Sequence, residues 1–199
     1  MDITAALDWL QSTGPAVQIR DSLFAFPLLE GAHVIGLALV FGTIAIVDLR
    51  LLGLASTHRP FQRLAADTLK WTWAAFAVTA LTGVLMFITN ATVYFHNAYF
   101  RAKVVLLVVA ALNVLVFELT AGRTVKQWDQ APAAPLLGRV IATVSLVVWV
   151  GVIVTGRMIG FTATRAAAPE SAPVDTNFED LLGLPAPSGD VPAPEPAPR

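Results

Sequence analysis

The sequence predicts an all-α protein: an integral membrane four-helix bundle with an N-terminal interfacial helix and a disordered, Pro-rich tail. Three observations carry that prediction. Of 199 residues, 56% are hydrophobic and only 14% charged, against roughly half apolar and a quarter charged in an average soluble domain. Long apolar stretches recur at Leu23 to Leu54, Trp71 to Thr89, Val104 to Phe117 and Leu136 to Ile159, and about 20 residues at 1.5 Å each cross a bilayer core. Finally, residues 169–199 gather eight of the thirteen prolines and six of the fourteen acids, too little apolar surface to offset the entropy of ordering.

Taken in order, the chain divides into an amphipathic segment over 1–22, a bundle over 23–165 and an acidic Pro/Ala-rich tail over 166–199. Ile3, Ala6, Leu7 and Leu10 recur at helical spacing with Asp8 and Gln11 opposite, the pattern of a helix lying at a lipid interface. Gly14-Pro15 breaks it, and Pro27 falls in the first turns of the first span, where a missing N–H is cheapest. The third stretch is the shortest between its charges, Lys103 and Glu118, but long cationic stems reach back to an interface and allow both ends to extend. The acidic start MDITAALD lacks the positive region and cleavage site of a signal peptide. Within the tail, Phe178 to Leu184 (FEDLLGL) is an apolar island suited to docking, with residual disorder as the plainer alternative.

Charge sets the expected orientation. Arg50, Arg59, Arg63, Lys70, Arg123, Lys126 and Arg139 flank the first and third connections, whereas Arg20, Arg101, Lys103, Arg157 and Arg165 lie on the other side. The positive-inside rule puts the seven in the cytoplasm. Both termini are then periplasmic in a bacterial inner membrane. A net charge of −1 gives no basic surplus for nucleic acid, and the absence of cysteine removes disulfides, thiolate metal sites and thiol nucleophiles. No phosphate loop, H-E-x-x-H, G-x-S-x-G or dinucleotide fingerprint is present, so no autonomous catalytic activity is predicted.

An ionisable residue inside a span is a functional candidate. Glu30 and His33 share a face of the first helix, with Gly31, Gly36 and Gly42 nearby to admit a second backbone or a flat ring. His96 lies in the connection on the same side, and Arg101, Lys103 and Arg157 mark span ends there. This collection suits b-type haem: His33 as an axial ligand, His96 as a second, and the three cations for the propionates. The plainer alternative makes His33 a buried hydrogen-bonding residue with Glu30 as partner, and the cations interface anchors. His58 reads as a solvated loop residue. Asp48 and Arg50 read as a pair fixing the end of the first span. Gly156 and Gly160 form a G-x-x-x-G packing face, Asn113 reads as interhelical glue, and Trp149 reads as core. Trp71, Trp73, Tyr94, Tyr99 and Trp128 are placed as an aromatic belt.

Several segments carry a resemblance. FAFPLLEGAHVIGLALVFGTIAIVDLRLLGL, FRAKVVLLVVAALN and GRMIGF resemble a family of small bacterial membrane proteins catalogued as a domain of unknown function, over roughly residues 1–162. More distantly, a His in the first span and a Phe-Arg-x-Lys entry to a span ending in Leu-Asn are similar to the copper-resistance D-like membrane proteins. The resemblance implies a four-helix bundle with His33, Arg101 and Lys103 at matching positions, and some relatives of that shape bind haem b. The functional expectation is therefore a b-type haem protein relaying electrons as a small membrane subunit. It would sit in the bilayer as a homo-oligomer or with other membrane subunits and meet a periplasmic partner through the tail. The alternative is a non-catalytic scaffold subunit of a larger membrane complex.

Overall fold

The computed structural model describes residues 2–167. The tail, with its docking island, lies outside the described residues from 168 onward. Among the described residues all regular structure is helical. Helices α1 (Ile3–Gln11) and α2 (Gly14–Asp21) precede the long α3 (Ala25–Leu51) and α4 (Phe61–Thr89). The short α5 (Ala91–His96) leads into α6 (Ala98–Leu119), a 3-10 turn (Ala121–Thr124) and α7 (Val125–Trp128) follow, and α8 (Leu136–Ala167) closes the body. Four segments are long and apolar enough to cross a membrane: Ala25–Leu51, Phe61–Thr89, Ala98–Trp128 and Leu136–Thr162.

The N-terminal segment is two short helices rather than one. Gly14-Pro15 does interrupt the first, but Pro15 then occupies the opening turn of α2, where its missing N–H has no helical acceptor to lose. Leu7 and Ala16 are buried, Gln11 Nε2 donates to Thr92 Oγ1 at 2.9 Å, and Arg20 Nη1 donates to the Thr89 carbonyl at 3.4 Å. These contacts dock the segment against the α4–α5 end of the bundle.

The third span extends at both ends as expected. Asn97 caps α6, its Oδ1 accepting from the amides of Tyr99 (2.9 Å) and Phe100 (3.3 Å). Its Nδ2 donates to Thr162 Oγ1 of α8 at 2.8 Å, tying the two helices together. Asn113 donates to the Ile141 carbonyl at 3.2 Å, the interhelical bond its position called for.

Two clusters form the core. Val40, Ala75, Ala110, Val148, Trp149 and Val152 bring all four long helices together in mid-bundle. Leu51, Phe61, Ala121, Val125, Trp128, Ala134 and Ala142 close the end that holds Arg50. Trp128 therefore departs from the aromatic belt: it is 6% exposed and packs on Phe61 with ring centroids 5.1 Å apart. Trp71, Trp73 and Tyr99 face outward.

Glycine matters where chains meet closely. At Gly36 an added Cβ would collide with the Thr79 hydroxyl, so this residue lets α3 lie against α4. Gly53 has φ 75°, and a Cβ there would lie 2.8 Å from Ala133 Cβ. Its left-handed turn ends α3 by directing the Leu54 amide onto the Leu49 carbonyl at 2.9 Å.

Arg50 does not pair with Asp48. It is fully buried and donates instead to four backbone carbonyls: Arg59 (3.0 Å), Asp129 (3.3 Å), Ala131 (2.9 Å) and Pro132 (3.3 Å). Two connections, the one after α3 and the one before α8, are fastened to the end of α3 by one guanidinium.

Candidate functional site

The site builds from α3 outward. His33 lies eight residues into α3, about 12 Å from its start, and faces α4 and α6. Its Nδ1 is 3.1 Å from Thr82 Oγ1. The Thr82 hydroxyl has one proton and directs it at its own helix, with the Val78 carbonyl at 2.8 Å and that of Thr79 at 3.1 Å. With its proton so directed Thr82 accepts from the imidazole, which favours the tautomer in which Nδ1 carries the ring proton and Nε2 keeps its lone pair. Lys103 Nζ stands 3.5 Å from that Nε2, at the long limit of a hydrogen bond.

Small residues give these side chains room. A Cβ on Gly83 would come within 3.0 Å of His33 Cε1, and one on Gly156 within 3.4 Å of Lys103 Nζ. Gly156 thus accommodates Lys103 within the bundle. The glycines expected to admit a flat ring behave differently: Gly36 is filled by Thr79, and Gly31 and Gly42 face open space.

Of the six residues singled out from sequence, the fold brings His33 and Lys103 into contact. Glu30 is exposed and is not the hydrogen-bond partner of His33; that role falls to Thr82. The Glu30 carboxylate acts instead on Tyr94, whose hydroxyl is held above its usual range first by burial and then by that charge. His96 is exposed on α5, its Nδ1 2.9 Å from the Thr92 carbonyl, and it does not join His33. Arg101 is exposed. Arg157 is exposed as well, its guanidinium 4.7 Å above the Phe161 ring.

Sequence reasoning did not mark Thr82, because a threonine next to a glycine in an apolar helix has no signature of its own. Nor did it mark the aromatic group formed by Phe87, Tyr94 and Phe100, where Phe87 and Phe100 stack at 5.2 Å. Phe100 lies about one helical turn before Lys103 on α6.

Four apolar spans, apolar side chains directed outward along every long helix and a histidine–lysine contact inside the bundle define a polytopic helical membrane protein. The chain belongs to a family of unknown function (DUF6644), which matches residues 23–162 and so covers all four spans. No curated protein and no solved structure matches the chain. The similarity to copper-resistance D-like proteins is not shown by these comparisons.

Proposed function

We propose that this protein is a small inner-membrane subunit that holds one b-type haem on His33 and relays electrons through it. The observation that supports this reading is the Thr82 hydroxyl against His33 Nδ1 at 3.1 Å, a contact that favours a proton on Nδ1 and the Nε2 lone pair for a cation. That is the arrangement in which an imidazole ligates a metal, with its other nitrogen held by a second partner. Among the described residues no group of three or more His, Cys, Asp or Glu could hold a bare metal ion. A porphyrin brings four nitrogens of its own, so iron in that form needs only the imidazole.

In this reading Lys103, 3.5 Å from Nε2, would be the cation nearest the ligating nitrogen and would pair with a propionate, with Arg101 and Arg157 as further cations at the same end. His96 contributes no second ligand from its place on α5. The excess of Lys and Arg around the Arg50 end supports a cytoplasmic position for that end and a periplasmic one for the His33 end. The acidic tail is proposed to meet a periplasmic partner.

The visible spectrum of full-length protein purified from haem-replete cells tests the proposal. A Soret band that shifts on reduction, is lost in His33→Ala and persists in His96→Ala is the expected result. A colourless preparation overturns the haem reading, and a membrane partner co-purifying with colourless protein would favour a scaffold subunit. Orientation is tested separately: with no native cysteine, single Cys residues in place of His96 and Arg123 should label from opposite sides of intact cells.

A further inference from the structure

At the opposite end of α3 from His33 lies a cavity of about 530 Å³. It runs along α3 from Val40 to Leu51, about 16 Å. Its floor is α3 and α8, and its walls are α4 and α6. Leu69 and Trp73 on one wall and Val114 on the other are exposed, so the cavity opens sideways between α4 and α6.

Its chemistry is one-sided. The lining is predominantly apolar, with Trp73, Phe76 and Trp149 among its aromatic members. Two carboxyl side chains, Asp48 and Glu118, line it, and no Lys, Arg or His does. Asp48 is 6% exposed, and its Oδ2 is a buried oxygen with no hydrogen-bond partner. Arg50, two residues further along α3, points away from it and is committed to backbone carbonyls. An unpaired carboxyl oxygen away from water is costly, and Asp48 is among the residues that line the cavity.

We infer that this cleft is a binding site for an apolar organic cation, whose charge is met by Asp48 and whose body packs among the aromatic side chains. Charge complementarity selects this occupant over a neutral acyl chain or an anion: the cavity is lined by two carboxyl side chains and no cation, one Asp48 oxygen has no hydrogen-bond partner, and ring faces attract cations. Entry is from the side, between α4 and α6. The site shares no residue with the His33–Lys103 contact, and its occupancy does not depend on haem.

The test uses the full chain in lipid nanodiscs, with empty nanodiscs subtracted, and two probes of the same shape and opposite charge: tetraphenylphosphonium and tetraphenylborate. The phosphonium should bind saturably, change the fluorescence of the cleft's tryptophans and bind at least tenfold more weakly to Asp48→Asn, while tetraphenylborate shows no saturable binding. Ala111→Phe, which adds a ring to the cleft wall, should abolish phosphonium binding. Absence of saturable phosphonium binding to wild type, or equal binding of the borate, overturns the inference, the latter showing an apolar cavity that takes any lipophile. Equal affinity in a folded Asp48→Asn variant also overturns it. If that variant does not fold, the comparison of the two probes on wild type decides alone.

Discussion

Replacing Arg50 should loosen one end of the bundle, and the size of the effect follows from its contacts. The guanidinium is fully buried and donates to carbonyls of Arg59, Asp129, Ala131 and Pro132 at 2.9–3.3 Å. Hydrogen bonds from a charged donor contribute about 1.5–3 kcal/mol each, but four bonds made by one group act as a unit and do not add. Losing the whole side chain leaves the carbonyls of Arg59, Ala131 and Pro132 without that donor, whereas the Asp129 carbonyl still accepts from the Phe61 amide at 3.0 Å. Arg50→Met should therefore cost about 3–5 kcal/mol, the range for breaking a buried charged network. Arg50→Lys keeps the charge, but a single ammonium cannot span acceptors on two connections, and the loss should be about 1.5–3 kcal/mol. For a chain of this size the Met variant should melt roughly 6–20 °C lower. Thermal unfolding in detergent measures the loss, and hydrogen exchange locates it at the amides of Phe61 and Ala134, which bond to Asp129 and Leu51 carbonyls. An Arg50→Lys protein within about 1 kcal/mol of wild type, with those two amides equally protected, would show that the clamp does not hold the connections.

Three further outcomes follow from single contacts. Gly36→Ala should destabilise by about 1–3 kcal/mol because its Cβ meets the Thr79 hydroxyl, and Thr79→Ala should recover most of that loss; equal melting of the single and double variants would refute the close α3–α4 approach. Thr82→Val removes the hydroxyl that faces His33 Nδ1 and leaves the Thr79 backbone beside the ring, so nitrogen chemical shifts of the imidazole should move toward a mixture of tautomers; an unchanged spectrum would remove the basis for assigning Nε2 as the free base. Tyr94 should ionise above its ordinary value because of burial and the Glu30 carboxylate. Its folded-state pKa being raised, the stability it contributes is complete below the unfolded tyrosine value, about 10, and is lost as pH rises through the folded one. Glu30→Gln should lower the Tyr94 midpoint in an ultraviolet titration against Tyr94→Phe, and no movement would contradict the placement of Glu30.

How far the sequence could be read depends on which physical signal each feature carries. The spans were legible because hydrocarbon demands about 20 apolar residues, a property of the string itself. Even the short third stretch was recoverable, because long cationic stems tolerate a helix end; that Asn97 caps it came only from the structure. Position along a span was legible too, so His33 could be singled out and does lie in the bundle with Lys103. What a side chain touches across the bundle was not legible. Hydrophobic residues on every face of α3 leave no stripe that says which way His33 points, and adjacency in sequence was a poor substitute. It suggested Glu30 for His33 and Asp48 for Arg50, and both suggestions gave way to partners 49 to 82 residues distant for His33 Nδ1 and three of the four Arg50 bonds.

The failed pairing of Asp48 with Arg50 is the more instructive one. Two opposite charges two residues apart on a helix point about 200° from each other around its axis, so they cannot share a salt bridge without distortion. Each must find its own environment. Arg50 found backbone carbonyls, which any connection supplies whatever its side chains, and this is why Asp129, Ala131 and Pro132 carried no mark of their role. Asp48 found a cavity wall and the Ser145 hydroxyl of α8; its Oδ2 remains without a hydrogen-bond partner. A short motif in IVDLRLLGL thus separates into a clamp that holds the fold and a carboxyl left for a ligand. The two roles predict different phenotypes: Arg50 variants should lose stability first, and Asp48→Asn should lose binding of the apolar cation while keeping its melting temperature.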